Sequence, residues 1–401
     1  MRITIPRSPL PPTPSYRCTL AWGRRGLAEA ASRGDIVVVV DVLSFSTCVV
    51  TATQREGVVI PCGHEDDPSE LAARLDARLA VRREDDPERS GFTLSPLSFL
   101  AIESGARVVL PSPNGAACSV LGAGASFLFA GAIVNATAVG HTVSRLVEST
   151  DHTVTIVAAG ERYETPSDDG VIRFAVEDYL GAGAILAAID AEKSPEAAVC
   201  ESAFVQVRHR IGEVLWGSES GLELRERGYK DDVHFAAQLD RFSAVPVLVD
   251  GAFVRWSEPK QKVLAYITRR RYGRIELLVF EQPDHPAGLQ VPAGTLDQGE
   301  HPEWGALREA EEETGLRHLR IVRRLTTHTL HAPWASEFHV RHVYHLESID
   351  GSPDRWMHVV SAGAEDLGMR FECRWHDISE PLELAGRQGE YLEYLLASLS
   401  S

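Results

Sequence analysis

Residues Gly294–Leu316 read GTLDQGEHPEWGALREAEEETGL, and this stretch decides the architecture of the C-terminal third. Pro302 suits the first turn of a helix and Gly315 its C-terminal cap. Helical spacing predicts one face of Trp304, Leu307 and Ala310, with Thr314 close behind, and puts Glu309, Glu312 and Glu313 on the opposite side. Three carboxylates then crowd the end where the helix dipole disfavours negative charge. Glu309 and Glu313 form a like-charge i,i+4 pair, which weakens the helix further. Only Arg308 stands close enough in sequence to compensate.

A divalent cation resolves the conflict. Mg²⁺ prefers oxygen ligands, keeps several waters and is held by a few carboxylates plus substrate phosphates. It would offset the repulsion among the glutamates, polarise a diphosphate and acidify a bound water. A solvated acidic face is the alternative when composition alone is considered.

The spacing favours the metal. Gly294, five residues, Glu300, seven residues, then Arg308-Glu309, Glu312-Glu313 and Gly315 resemble the Nudix box, with Ala310 and Leu316 at its apolar positions. The resemblance implies an α/β/α sandwich over residues 260–401 and Mg²⁺-dependent hydrolysis of a diphosphate linked to another moiety, usually a nucleoside. It implies Glu309, Glu312 and Glu313 as metal ligands, with Gly294 offering its carbonyl and one glutamate orienting the attacking water. Arg308 and Glu300 would tie loop to helix through an ion pair.

Around this box the chain alternates strand and turn signals. KVLAYITRRRYGRIELLVFE reads as a hairpin turning near Tyr272-Gly273, and GLQVPAGTL as a short strand and loop. Apolar segments near Arg320–Leu325 and His339–Leu346 follow, then a strand in MRFECRWHDI and a closing amphipathic helix in EYLEYLLASL. The texture changes at DGAFVRWSEPKQ, Asp250–Gln261, and the expected domains are 18–253 and 260–401 after a Pro-rich lead-in, 1–17.

Upstream, IVVVVD (Ile36–Asp41) is the β-branched run of a strand buried on both faces. ARVVLPSPNGAACSVL, FLFAGAIVNATAVGHTV and TVTIVAAGERYE repeat a plan of strand, polar turn and helix. The alternation predicts an α/β domain with a largely parallel or mixed sheet. Asp41, Ser112, Asn114, Gly115, Asn135 and Glu161 collect at strand ends, where open sheets bind ligands. They would suit a phosphate with a divalent cation, and acids or Asn in such places also read simply as helix caps.

VVVVDVLSFSTCVV, GFTLSPLSF, VVLPSPNGAA, AAGE and AVEDYLGAGAI, with RERGYKDDVHFAAQLDRFSAVPVL later, resemble the 2-phosphosulfolactate phosphatase (ComB) family in that order. The family implies a magnesium-dependent acid phosphatase acting on a small sulfonated hydroxyacid. Its pocket would comprise Asp41, Ser46, Thr47, Ser95, Asn114, Gly115, Glu161, Glu177 and Asp178. Many members carry Arg in the loop after the first Asp, where this chain has Ser44 and Phe45, and SPNGA replaces a T-T-N-G-T turn. A second reading therefore stands beside a bifunctional enzyme: a working Nudix hydrolase with a non-catalytic, ligand-binding N-terminal module. Glu177 and Asp178, inside a helical pattern, also read as a solvated face.

Composition bounds the rest. At 401 residues the chain is too long for one typical core. A net charge of −17 argues against non-specific nucleic-acid or anionic-membrane binding. Six scattered cysteines without a C-x-x-C pair suit reduced thiols and a cytoplasmic location. No apolar run approaches a membrane span. The expected partners are small phosphorylated substrates, a nucleoside diphosphate derivative at the Nudix site, and a homo-oligomer remains open.

Overall fold

Every residue of the run Ile36–Val40 is buried, because the strand lies between two parallel neighbours in a nine-stranded sheet in the computed structural model of the chain. The structure describes residues 16–64, 66–86, 88, 91–150, 152–167, 170–283, 288–332, 337–349, 351–360 and 367–400. Most of the Pro-rich lead-in, residues 1–15, lies outside them. The chain divides into two compact units, Met1–Trp256 and Ser257–Ser401.

In the first unit the strands are β1 (Cys18–Trp22), β2 (Ile36–Val40), β3 (Val58–Cys62), β4 (Arg78–Leu79), β5 (Arg107–Pro111), β6 (Phe127–Gly131), β7 (Val154–Ala158), β8 (Glu161–Ser167), β9 (Gly170–Arg173), β10 (Pro246–Val249) and β11 (Ala252–Arg255). The sheet order is β1-β7-β2-β6-β10-β11-β3-β5-β4, with β8-β9 a separate hairpin. Its β1-β7-β2-β6 and β3-β5-β4 portions are parallel, and the β10-β11 hairpin joins them by antiparallel pairing to β6 and β3. The sheet is therefore mixed, with the end of the unit inserted at its middle. Part of the Asp250–Gln261 stretch thus belongs to this sheet as β11.

Helices cover both faces. Gly23–Ser32 and Phe45–Gln54 send Leu27, Cys48 and Val49 into a core with Val37 and Val39. The Val176–Leu186 helix packs on the opposite face, where a Cβ on Gly181 would come within 2.6 Å of Val42 and 3.0 Å of Val40. That close approach carries the helix N-terminus to the carboxyl end of β2.

The second unit holds β12 (Lys260–Arg271), β13 (Arg274–Glu281), β14 (Ala293–Thr295), β15 (Leu319–Ala332), β16 (Glu337–Ser348), β17 (Arg355–Val359) and β18 (Arg370–Asp377). Their order is β15-β16-β12-β13-β18-β17, with β14 beside β12. Strand alternation sorts the side chains into two cores. Val263, Ala265, Ile267, Leu278 and Phe280 meet Ala306 and Ala310 of the Pro302–Thr314 helix. Leu264, Tyr266, Leu277 and Val279 meet Tyr391 and Leu395 near the closing helix, Leu392–Ser400. The result is a sheet between two helical layers.

One sequence expectation is corrected here. Trp304 is 69% exposed, and the buried side of the Pro302–Thr314 helix carries Gly305, Ala306, Glu309, Ala310, Glu313 and Thr314. Two of the three crowded glutamates thus share the buried side with the alanines instead of facing away from it. Gly315 takes the left-handed cap, φ 75°. Trp356 Nε1 donates to the Thr314 carbonyl (2.8 Å), and His358 Nε2 lies 2.8 Å from the Glu312 carbonyl, so β17 satisfies two carbonyls at this helix end. No described helix is long and apolar enough to cross a membrane, and all six cysteines are free and buried.

Candidate active sites

The carboxyl end of β2 delivers Asp41 into a nest of backbone donors. Asp41 Oδ1 accepts from the Phe45 N–H (3.1 Å) and Oδ2 from the Gly115 N–H (2.8 Å). A Cβ on Gly115 would lie 2.7 Å from that Oδ2 and 2.4 Å from the Phe45 ring, so only glycine lets the β5 turn reach the carboxylate. Asn114 Nδ2 donates to Glu161 Oε2 (2.8 Å), joining the ends of β5 and β7. Asp178 Oδ1 accepts from Val42 N–H (2.8 Å) and Oδ2 from Gly160 N–H (2.9 Å). Glu177 and Asp178 are 2% and 4% exposed, which overturns the solvated-face alternative.

Four carboxylates therefore gather, Asp41, Glu177 and Asp178 buried and Glu161 half-buried. Burial raises the Asp41 carboxyl to about 6, with the Glu177 charge adding and the Gly115 and Phe45 N–H groups opposing. Glu161 rises to about 7, through burial first and then the Asp41 charge. Asp178 and Glu177 are also raised, again mainly by burial. Arg173, which neighbours Glu161 across the hairpin, is already paired with Glu219 (2.7 Å) and Glu223 (3.2 Å).

This sets the sign of a pH effect. Between the ordinary values of 3.8 and 4.5 and the raised values of about 6 and about 7, the folded chain binds more protons than the unfolded chain. Stability from these groups therefore falls as pH rises through that window. Scanning calorimetry in EDTA is expected to show a lower melting temperature at pH 8 than at pH 5. The drop should shrink in Glu161→Gln; an equal drop in that variant would contradict the assignment.

The remaining expected pocket residues are placed differently. Ser46 Oγ donates to the Val39 carbonyl (3.1 Å) and accepts from the Asp41 N–H (3.0 Å), while Thr47 Oγ1 donates to the Val42 carbonyl (2.8 Å). Both shape the loop. Asn135 Oδ1 accepts from the Ala132 N–H and its Nδ2 donates to the Ala244 carbonyl, so it is a structural clasp. Ser112 Oγ accepts from the Asn114 N–H at 3.3 Å.

Ser95 belongs to a neighbouring cluster that sequence reasoning missed. It donates to Asp232 Oδ1 (2.6 Å), and Asp232 Oδ2 accepts from Arg83 (3.0 Å). Arg83 Nη2 also donates to Ser44 Oγ (2.8 Å) and the Leu94 carbonyl. A cavity of about 130 Å³ opens here, lined in part by Arg83, Ser95, Tyr229 and Asp232. A guanidinium thus reaches the loop after Asp41 from another segment of the chain, and no local spacing could have shown it.

In the second unit β14 and the Pro302–Thr314 helix build the other site. Arg308 makes a two-pronged contact with Glu300 (2.9 and 2.8 Å) and also donates to Glu309 (2.8 Å), Glu312 (3.1 Å) and the Thr295 carbonyl (3.0 Å). This contact holds the Glu300 carboxyl below its ordinary value. Glu313 Oε2 accepts from the Ala293 N–H at 3.0 Å. A Cβ on Gly294 would fall 2.0–2.2 Å from the Glu309 carboxylate, which therefore rests directly on the glycine backbone.

Hard oxygen donors in excess of cations fit a divalent ion of the Mg²⁺ type. Among the described residues no three His, Cys, Asp or Glu side chains form a ready-made ion cage. Glu309 and Glu312 would have to turn from Arg308 towards an ion.

Comparison with known proteins adds family. Residues 25–251 match the model for 2-phosphosulpholactate phosphatase, and residues 258–395 match the NUDIX domain model. A probable 2-phosphosulfolactate phosphatase of Pseudothermotoga lettingae is 28% identical over 232 residues, 57% of this chain and 96% of that protein. The 2-phosphosulfolactate phosphatase of Methanothermobacter thermautotrophicus is 29% identical over 223 residues, 56% of this chain and 91% of its own length. An ADP-ribose pyrophosphatase of Bacillus subtilis is 36% identical over 102 residues, covering 24% of this chain and 54% of that protein.

Proposed function

Because the chain belongs to the 2-phosphosulpholactate phosphatase family and carries a Nudix hydrolase domain, both of them hydrolases of phosphorus-containing bonds, we propose that it is bifunctional and Mg²⁺-dependent. Domain 18–253 would release phosphate from a small phosphorylated acid. Domain 260–401 would cleave a diphosphate linked to another moiety, with a nucleoside derivative as first choice, both in the cytoplasm. One observation carries the reading: among the described residues, each unit gathers more carboxylates at its site than the cations paired with them there.

Mg²⁺, when bound, supplies the missing charge, polarises a phosphoryl oxygen and acidifies a water. In the Nudix domain Glu309, Glu312 and Glu313 would hold the ion, with the Gly294 carbonyl beside them. One of these carboxylates takes the proton of the attacking water, and Arg308 keeps the helix against the β14 loop. In the N-terminal domain Asp41, Glu161, Glu177 and Asp178 would hold the ion. Asn114 then orients the phosphoryl group, Gly115 holds Asp41 through its N–H, and Arg83 braces the loop through Ser44.

A second reading keeps the N-terminal domain as a binding module, favoured by the Ser46 and Thr47 hydroxyls being engaged with backbone. Product formation by the full chain decides between them, as orthophosphate from phosphomonoesters and as two phosphomonoester fragments from nucleoside diphosphate derivatives. Phosphomonoesters of small acids and nucleoside diphosphate derivatives are assayed with Mg²⁺ and with EDTA. Release from both classes, abolished by EDTA, is the expected result. Binding of phosphomonoesters without turnover would replace the first activity with the module.

A further inference from the structure

The two units differ in the size of molecule they admit. In the first, Asp41, Glu177 and Asp178 are each at most 5% exposed. Backbone N–H groups of Phe45 and Gly115 close around Asp41, and those of Val42 and Gly160 around Asp178. Carboxylates sunk this far are met by the end of a molecule, not by its middle. The cavity at Arg83, beside the loop after Asp41, measures about 130 Å³. Pockets for drug-sized ligands begin at roughly 300 Å³. The first unit therefore has room for a phosphoryl group and a few further atoms, short of a nucleoside.

The second unit is roomier. A groove of about 540 Å³ runs beside the box loop, between Gln261, Thr295, Leu296, Glu300 and His342. Thr295 and Glu300 both contact Arg308, which in turn touches Glu309 and Glu312, so the groove adjoins the carboxylates. Its volume lies in the range for whole small-molecule ligands. A diphosphate carrying a group at each end has space here and lacks it in the first unit.

The chemistry then fixes an order. Water attacking either phosphorus of such a diester forms one P–O bond and breaks the P–O–P bridge. Both fragments leave as phosphomonoesters, and the proton passes to solvent. A second water attacking the phosphorus of one fragment breaks its ester P–O bond, and the leaving oxygen takes up a proton. An alcohol and orthophosphate result. Two waters are consumed, and nothing is oxidised or reduced. The class of molecule that the second unit makes is the class that the first unit consumes.

We propose that the two units act in sequence on one compound, a diphosphate joining a nucleoside to the hydroxyl of a small acid. The second unit releases the nucleoside monophosphate and a phosphorylated small acid. The first unit converts the latter to the free hydroxyacid and orthophosphate. This rests on the bifunctional reading above and adds which reaction supplies the first unit's substrate.

The probe is ADP esterified through its terminal phosphate to the hydroxyl of lactate, given to the full chain with Mg²⁺ and followed by phosphorus NMR. Equal amounts of AMP and orthophosphate are expected, with phospholactate passing as an intermediate and AMP persisting. Asp41→Asn should stop at AMP and phospholactate, lowering orthophosphate at least about 10³-fold. Glu312→Gln should slow cleavage of the probe on the order of a hundredfold, yet hydrolyse added phospholactate as the wild type does. A mixture of the two variants should restore orthophosphate, since each supplies one step.

Orthophosphate drawn from AMP while phospholactate persists overturns the small-acid assignment. Persistence of both fragments, in a chain that hydrolyses other phosphomonoesters, overturns the sequence and leaves the bifunctional reading standing. A probe left whole by a chain that cleaves ADP-ribose overturns it as well. If neither diphosphates nor phosphomonoesters are turned over, the bifunctional reading itself falls.

Discussion

Asp41→Asn is expected to remove Mg²⁺-dependent phosphomonoester hydrolysis by a factor of at least about 10³, or ~4 kcal/mol of transition-state stabilisation. The carboxylate ends a strand buried on both faces and accepts from two backbone N–H groups, so its position is set by the sheet and the β5 turn. Asparagine keeps one acceptor oxygen but presents an amide N–H to the remaining donor, leaving one buried donor unsatisfied. It also removes a charge that burial disfavours. These effects oppose each other, so the melting temperature in EDTA at pH 8 should move little while turnover collapses. Phosphate release with Mg²⁺ beside a thermal melt measures both. Turnover within tenfold of wild type would remove Asp41 from the reaction.

Glu312→Gln is expected to lower diphosphate hydrolysis on the order of a hundredfold, ~3 kcal/mol, because a hard cation loses an anionic ligand. Its stability should barely change. The repulsion relieved is a few tenths of a kcal/mol per like-charge pair, and the lost Arg308 contact is an i,i+4 pair of similar size. A solvated acidic helix would show the same melt with full activity. Rates and melts with and without Mg²⁺ separate the two, and Glu309→Gln and Glu313→Gln extend the comparison. Unchanged turnover in all three variants would sink the metal assignment. Phosphomonoester hydrolysis should survive in each, since the Asp41 carboxylates lie in the other unit.

Local pattern carried the helix ends, the hairpin at Tyr272-Gly273 and the buried β2 strand, because caps, turns and β-branched runs act over a few residues. It did not carry β1 and β3, whose short runs lack a bounding signal, nor β10-β11 at the middle of a sheet begun two hundred residues earlier. Glu177 and Asp178 looked solvent-facing for a related reason. Helical periodicity reports which residues share a face, and only packing against β2 tells which face is buried.

By itself the sequence determined the chemistry on offer: two α/β units, a complete set of Nudix-box carboxylates, and acids and amides at strand ends. Those follow from residue type and spacing, which are written in the chain. Tertiary structure decided which of these groups meet. It gathered Asp41, Asn114, Gly115, Glu161 and Asp178 from four strand and helix ends, and turned the Ser46 and Thr47 hydroxyls to backbone. It also brought Arg83 to Ser44 and buried Arg341 with its Nη1 lacking a hydrogen-bond partner among the described residues. Desolvation and long-range contact depend on what surrounds a side chain in space, and neither has a signature in the residues beside it along the chain.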